Sequence, residues 1–348
     1  MRSRSAAFLA FLVLTLAVVG VGCPCTNGIV NSSPDLRWWL FSNFGASKVC
    51  AEMTKRGMPL KIAQLGAASV GRFFPGQCQV QIDDARKVMI LTTSGSGYVT
   101  LPVTRRVGFA ITMTVEYLPD FRLESDAMYV WGTFNRFVVD PNLQIAGVEN
   151  PVVNLATQTP VGTVAQSIGN SLVASEIGKG FTVVRRDDGD DFTLGHLDPP
   201  QKPHRQFKAG TGRVVLESNL SSIGTLQRDY VGPFEVTDNN AALFLHAKTT
   251  GAAVTYAIVE RSVGEAWRRL YETGQPLGPP PGMVVGQGRL DANGTDANLG
   301  FPVSKGTYYI VLENTAMAPL FGTVLPIGDT VAQVGYSVEV GDRNRVNP

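Results

Sequence analysis

From Leu60 to the C-terminus, apolar side chains recur mostly with the two-residue period of strands rather than the 3.6-residue period of helices. Cys78-Gln79-Val80-Gln81-Ile82 alternates, Asp83-Asp84 supplies a turn, and Lys87-Val88-Met89-Ile90-Leu91 follows. Ser94-Gly95-Ser96-Gly97 has the composition of a second turn. The stretch from Gly71 to Pro75 reads as a turn carrying two core aromatics, Phe73 and Phe74. β-branched and aromatic residues then fill 107–117, 129–131 and 181–184. Short strands between Gly, Asp and Pro turns point to a sandwich or a curled sheet.

Three early segments depart from that period. Ser33-Pro34-Asp35 has the form of a helix start, because serine accepts orphan amide hydrogens and proline is tolerated in the first turn. Leu36, Trp39, Leu40 and Phe44 then fall near one face. A second short helix over 46–56 groups Val49, Cys50 and Met53, with Gly57 as its stop. After Pro160, Val161, Val164, Ala165, Ile168, Leu172 and Ile177 recur at helical spacing. A helix over 161–177 either packs on the sheet or roofs a lipid-binding cavity.

Asp198-Pro199-Pro200-Gln201-Lys202-Pro203-His204 interrupts regular hydrogen bonding and marks a domain break. Beyond it, 212–217, 234–236, 242–247 and 253–259 are strand candidates, 265–271 is a short helix, and 274–282 is a proline-rich connection. Tyr308-Tyr309-Ile310-Val311-Leu312 is apolar on both faces, as suits the interior of a two-layer sandwich. The expected fold is mainly β, with the N-terminal half open between mainly β and α+β and a β-sandwich-like C-terminal domain. Domains are expected over 35–200 and 210–348.

The leader has a different character. Arg2 and Arg4 precede an uncharged run, Ala6 to Gly22, that is 17 residues long and ends in Val19-Gly20-Val21-Gly22-Cys23. This is the physical form of a signal peptide over residues 1–22. The junction resembles the lipobox of bacterial lipoproteins, with Gly22 as the small residue and Cys23 as the thiol, although Gly20 stands where a larger aliphatic residue is usual. The resemblance covers only this leader. It implies diacylglycerol on Cys23, cleavage before it, and a lipid-anchored place in the cell envelope. Pro24, where an aspartate would mark inner-membrane retention, implies the outer membrane in a diderm host. Ordinary cleavage near Gly22 and a retained anchor remain alternatives. Residues 23–34 contain few core formers and read as a tether.

Export permits disulfides. Of Cys23, Cys25, Cys50 and Cys78, lipidation of the first leaves Cys50 and Cys78 as the pair lying in patterned segments, with Cys25 unpaired or engaged intermolecularly. Two disulfides in a non-lipidated chain are the competing arrangement. Without Arg2 and Arg4 the chain carries 28 basic and 29 acidic residues, a balance that offers no electrostatic signature for nucleic acid.

Catalytic and cofactor motifs are not apparent. Glu116 with Asp120, or Glu260 with Glu265, imitates a glycosidase carboxylate pair, whose chemistry depends on spatial separation. Asp187-Asp188-Gly189-Asp190-Asp191 lacks the donor order of a calcium loop and reads as a hairpin turn. His196, His204 and His246 have no zinc spacing. No metal or other cofactor is expected, and no enzymatic role. The expected function is a membrane-anchored structural or protein-interaction protein of the envelope, with envelope proteins as partners. The alternative is a lipoprotein that binds glycan through Trp131 or Trp267, or lipid beneath the 161–177 helix. Trp38 and Trp39 read as core packing, as a ligand platform or as a membrane-interface contact.

Overall fold

The computed structural model describes residues 24–61, 68–101, 105–149, 174–186, 189–203, 205–292, 294–314 and 330–346. Cys23, residues 161–173 of the expected helix, Asp187, Asp188 and His204 lie outside them. The fold is mainly β, with two sheets.

Helices come first: α1 (Pro24–Ser32), α2 (Pro34–Leu40) and α3 (Ala46–Met53), with a π turn over Phe41–Gly45 joining the last two. Ser33 caps α2, its Oγ accepting from Leu36 N at 3.3 Å, and Pro34 occupies the first turn. An antiparallel meander follows: β2 (Ser69–Asp83), β3 (Val88–Leu101), β4 (Arg105–Leu123), β5 (Met128–Val148), β6 (Phe181–Arg186) and β7 (Gly189–Leu194), with short β1 (Met58–Lys61) beside β2. β4 and β5 run 19 and 21 residues and carry four register shifts between them. Bulges of this kind bend a strand and raise its twist.

Three local expectations change. Gly71–Pro75 and Ser94–Gly97 are strand rather than turn, paired with one another across β2 and β3. The glycines serve close packing there: a Cβ on Gly95 would stand 2.8 Å from the Phe73 ring, and one on Gly97 2.8 Å from the Phe109 ring. Residues 24–32 are helical where composition suggested a tether. Asn27 Nδ2 donates to Glu124 O at 3.1 Å and Asn31 Nδ2 to Leu123 O at 2.7 Å, while Leu123 N donates to Asn31 Oδ1 at 2.9 Å. These two side chains bind α1 to the end of the β4–β5 hairpin.

The C-terminal half contains β8 (Arg213–Ile223), β9 (Gln227–Val236), β10 (Ala241–Thr250), β11 (Val254–Glu260), α4 (Arg261–Glu272), β12 (Val284–Leu290), β13 (Ala297–Pro302), β14 (Gly306–Asn314) and β15 (Ala332–Asp342). One layer has the order β13-β10-β15-β8 and continues into the meander; the other has the order β12-β11-β14-β9. Eight strands interleaved in this way form a jelly roll. Leu243, Leu245, Ile258, Ile310, Leu312 and Val338 are 0% exposed between its layers. β14 is buried on both faces, with Ile310 toward the jelly-roll core and Tyr309 toward a separate cluster that includes Trp267 and Tyr271 of α4.

That separate cluster also takes Phe74 and Tyr98 from the meander, so it joins the two halves. Beside it, Arg72 is fully buried and donates to Asp229 through Nε at 2.7 Å, to Glu217 at 2.8 Å and to Tyr336. Tyr98 Oη donates to Asp229 at 2.8 Å and accepts from Tyr230 N at 2.7 Å. Gly108 and Gly147, partners across β4 and β5, receive the end of α4: a Cβ on Gly108 would lie 1.7 Å from Glu272 O.

Candidate functional site

The meander has one sheet, so its apolar face must be covered by something other than a second sheet. α1, α2 and α3 supply that cover, with Val30, Phe41, Val49 and Met53 buried against it. Cys50 of α3 is disulfide-bonded to Cys78 of β2. Arg37 of α2 pairs with Asp120 of β4 at 2.7 Å. Trp38 Nε1 donates to Asp84 at 3.1 Å while its ring packs on the core, and Trp39 meets Phe44 edge-on at 5.7 Å.

Between this helical layer and the sheet lies an apolar cavity of about 310 Å³. Leu40, Phe41, Phe44 and Val49 line it from the helices; Phe121, Leu123, Met128, Val130 and Val183 line it from β4, β5 and β6. Lys48, Glu52 and Arg185 are the charged residues around it. Phe44 is 53% exposed, so its ring stands between the cavity and the outside. The cavity is hydrocarbon inside, with charges of both signs around it. Ile177, the last apolar residue of the expected 161–177 helix, is buried in the same core.

Three of the four candidate carboxylates are held by basic side chains. Glu116 is buried and receives Arg136, Asn135 and Arg86; these donors, Arg136 foremost, hold its carboxyl at about 2, which makes it a poor proton donor near neutrality. Asp120 is committed to Arg37, and Glu265 to Arg261 at 2.6 Å, one turn along α4. β6 and β7 are antiparallel and pair as far as Arg186 and Gly189, which fits the hairpin reading of the acidic segment. His196 stacks on Trp131 at 5.2 Å and His246 on Phe207 at 3.8 Å. Among the described residues no group of His, Cys, Asp and Glu is placed to hold a metal.

The two tryptophans considered for glycan are occupied within the fold. Trp131 donates to Leu197 O at 2.8 Å and lies between Tyr129 and His196. Trp267 is 4% exposed, donates to Gly278 O at 3.1 Å, and has the Arg228 guanidinium over its ring at 4.3 Å. It borders a more polar cleft of about 710 Å³ under the 277–280 loop, where Arg228 is already paired with Glu313 at 2.5 Å.

No helix among the described residues is long and apolar enough to cross a membrane. The chain matches no protein family and no curated protein. Among solved structures it is paired with a glycoside hydrolase family 43 arabinoxylan arabinofuranohydrolase from Bacillus subtilis in complex with cellotetraose, at 10% identity and a TM-score of 0.22, over 76% of this chain and 66% of that one. It is also paired with the VP2 subviral particle of infectious bursal disease virus, at 10% identity and a TM-score of 0.19, over 82% and 77% of the two chains. With TM-scores this low, neither pairing identifies a shared fold.

Proposed function

We propose that this protein is a lipoprotein of the cell envelope, anchored through Cys23, that holds one lipid acyl chain in the cavity between the α2–α3 segment and the meander. The cavity carries this reading: its walls are hydrocarbon, and its outer wall, formed by Leu40, Phe41, Phe44 and Val49, belongs to the helical layer whose first helix begins at Pro24. The welded jelly roll suits a rigid structural body behind the site. A purely structural or protein-interaction role is the second reading, favoured by the buried Arg72–Asp229–Glu217 network, which commits its charges to holding the halves together.

Native mass spectrometry of protein taken from its own envelope tests the two. The lipid-binding reading expects a stoichiometric lipid in addition to the mass on Cys23. Val130→Phe places a ring in the cavity and displaces about two methylenes; at about 0.8 kcal/mol each, retention falls about tenfold. A wild-type protein that carries only its covalent anchor supports the structural reading instead. N-terminal peptide mass spectrometry checks the anchor itself: residues 1–22 absent and an apolar mass on Cys23.

A further inference from the structure

We infer that the end of the molecule formed by α1, the β4–β5 turn and the π turn is its membrane-contacting face, and that the chain in the cavity belongs to a bilayer phospholipid entering past Phe44. This rests on the proposed anchoring at Cys23. Pro24, the next residue, is already the first of α1, so no free linker separates the anchor from the folded body. Consecutive Cα atoms lie about 3.8 Å apart, which holds the first turn of α1 at the headgroups. α1 is nine residues long, or about 13 Å. Within that length Asn27 and Asn31 bind it to the backbone of Glu124 and Leu123. The body therefore moves with α1 as one unit, and its pivot is confined to Cys23, next to the first turn.

The same contacts place the cavity. Leu123 and Met128 close the β4–β5 ladder, and both line the cavity. The residue to which Asn31 is bonded is therefore itself a wall of the site. Exposed apolar groups lie on this helical layer as well: Ile29 of α1 is 64% exposed, and Phe44, 53% exposed, touches Trp39. An aromatic pair beside Lys48 is suited to the boundary where acyl chains meet headgroups, because rings are buried while the ammonium stays hydrated. A phospholipid from the bilayer then needs to move only one chain into a cavity it already faces.

Hydrogen–deuterium exchange on the lipidated protein in phosphatidylethanolamine–phosphatidylglycerol vesicles, against the same protein in detergent, tests the orientation. Intact mass in the same samples reports the state of Cys23. The expected result is vesicle-dependent protection of peptides spanning residues 38–48 and 121–130, with residues 283–290 of the jelly roll unchanged. Phe44→Ser, at an exposed position, should keep the melting temperature and lose most of the protection over 38–48. Val130→Phe should keep the surface protection over 38–48 while losing the co-purified phospholipid. Protection centred on the exposed Met283 instead, with Cys23 lipidated, overturns the orientation and leaves the anchor standing. A lipid-free Cys23 overturns the anchor and this inference together.

Discussion

The jelly roll draws both of its layers from its own strands, whereas the N-terminal meander covers its single sheet with three short helices. Two pleated faces interdigitate, and inward side chains of the jelly roll such as Leu243, Ile258 and Ile310 consequently have no exposure. Short helices interrupted by a π turn cannot match a long bulged sheet in the same way. They are held at a few points: one disulfide, the Arg37–Asp120 and Asp35–Lys87 ion pairs, the Trp38–Asp84 hydrogen bond and the two asparagines of α1. The apolar cavity lies at that incomplete match. A covering layer attached at points leaves room for a ligand; a layer fused by interdigitation does not.

The largest test strikes the junction between the halves. Arg72→Ala leaves Asp229 and Glu217 buried without their cation and should cost about 3–5 kcal/mol in urea unfolding. A loss under about 1 kcal/mol would mean that the junction holds without this network. Next comes the point attachment of the helical layer. Removing the Cys50–Cys78 bond, which spans 28 residues, should cost about 3–4 kcal/mol and loosen α3 with little change in exchange across β10 and β15. Equal loosening of both halves would erase the contrast drawn above.

A smaller effect is expected at the seat of α4. Gly108→Ala forces a methyl group against the Glu272 carbonyl, and overpacking of this kind costs about 1–3 kcal/mol. Thermal melting of the variant should show the loss, and Gly28→Ala, where no atom lies within 4 Å inside α1, provides the control of opposite sign, since alanine favours a helix interior by about 0.5–1 kcal/mol. The subtlest test is pH. Glu116 is held at about 2 against an ordinary 4.5, so within that window the unfolded chain binds more protons than the folded one. Its stabilisation is complete above 4.5 and is lost as pH falls toward 2. Glu116→Gln should flatten that part of the acid-melting curve; an unchanged slope would show that Arg86 and Arg136 do not stabilise the carboxylate.

Much of the fold could be read directly from residue order. Alternation in 78–82 and the apolar run 242–247 predict strands that the structure contains, and Ser33-Pro34 predicts the start of α2. Cys50 and Cys78 were legible as a pair because each lies in a patterned segment. The glycines at 95 and 97 misled, because a turn and a strand that must admit a neighbouring ring call for the same residue. α1 was hidden as well, since its anchorage uses asparagines bonded to backbone more than ninety positions away. The cavity left one trace: Phe44 continues the apolar face of α2 yet stays exposed, an excess of hydrocarbon beyond what the core consumes.

Residue order alone set the local periods, and it carries the expectations of a break near residues 198–204 and of a leader before Cys23, because spacing, proline and charge act within a few residues of one another. Only the tertiary structure decided the jelly-roll strand order, the burial of Arg72, the closure of Trp131 and Trp267, and the space between helices and sheet. Each of these depends on which distant surfaces meet. Periodicity specifies that a face is apolar; the partner that covers it, and how closely, is set by packing.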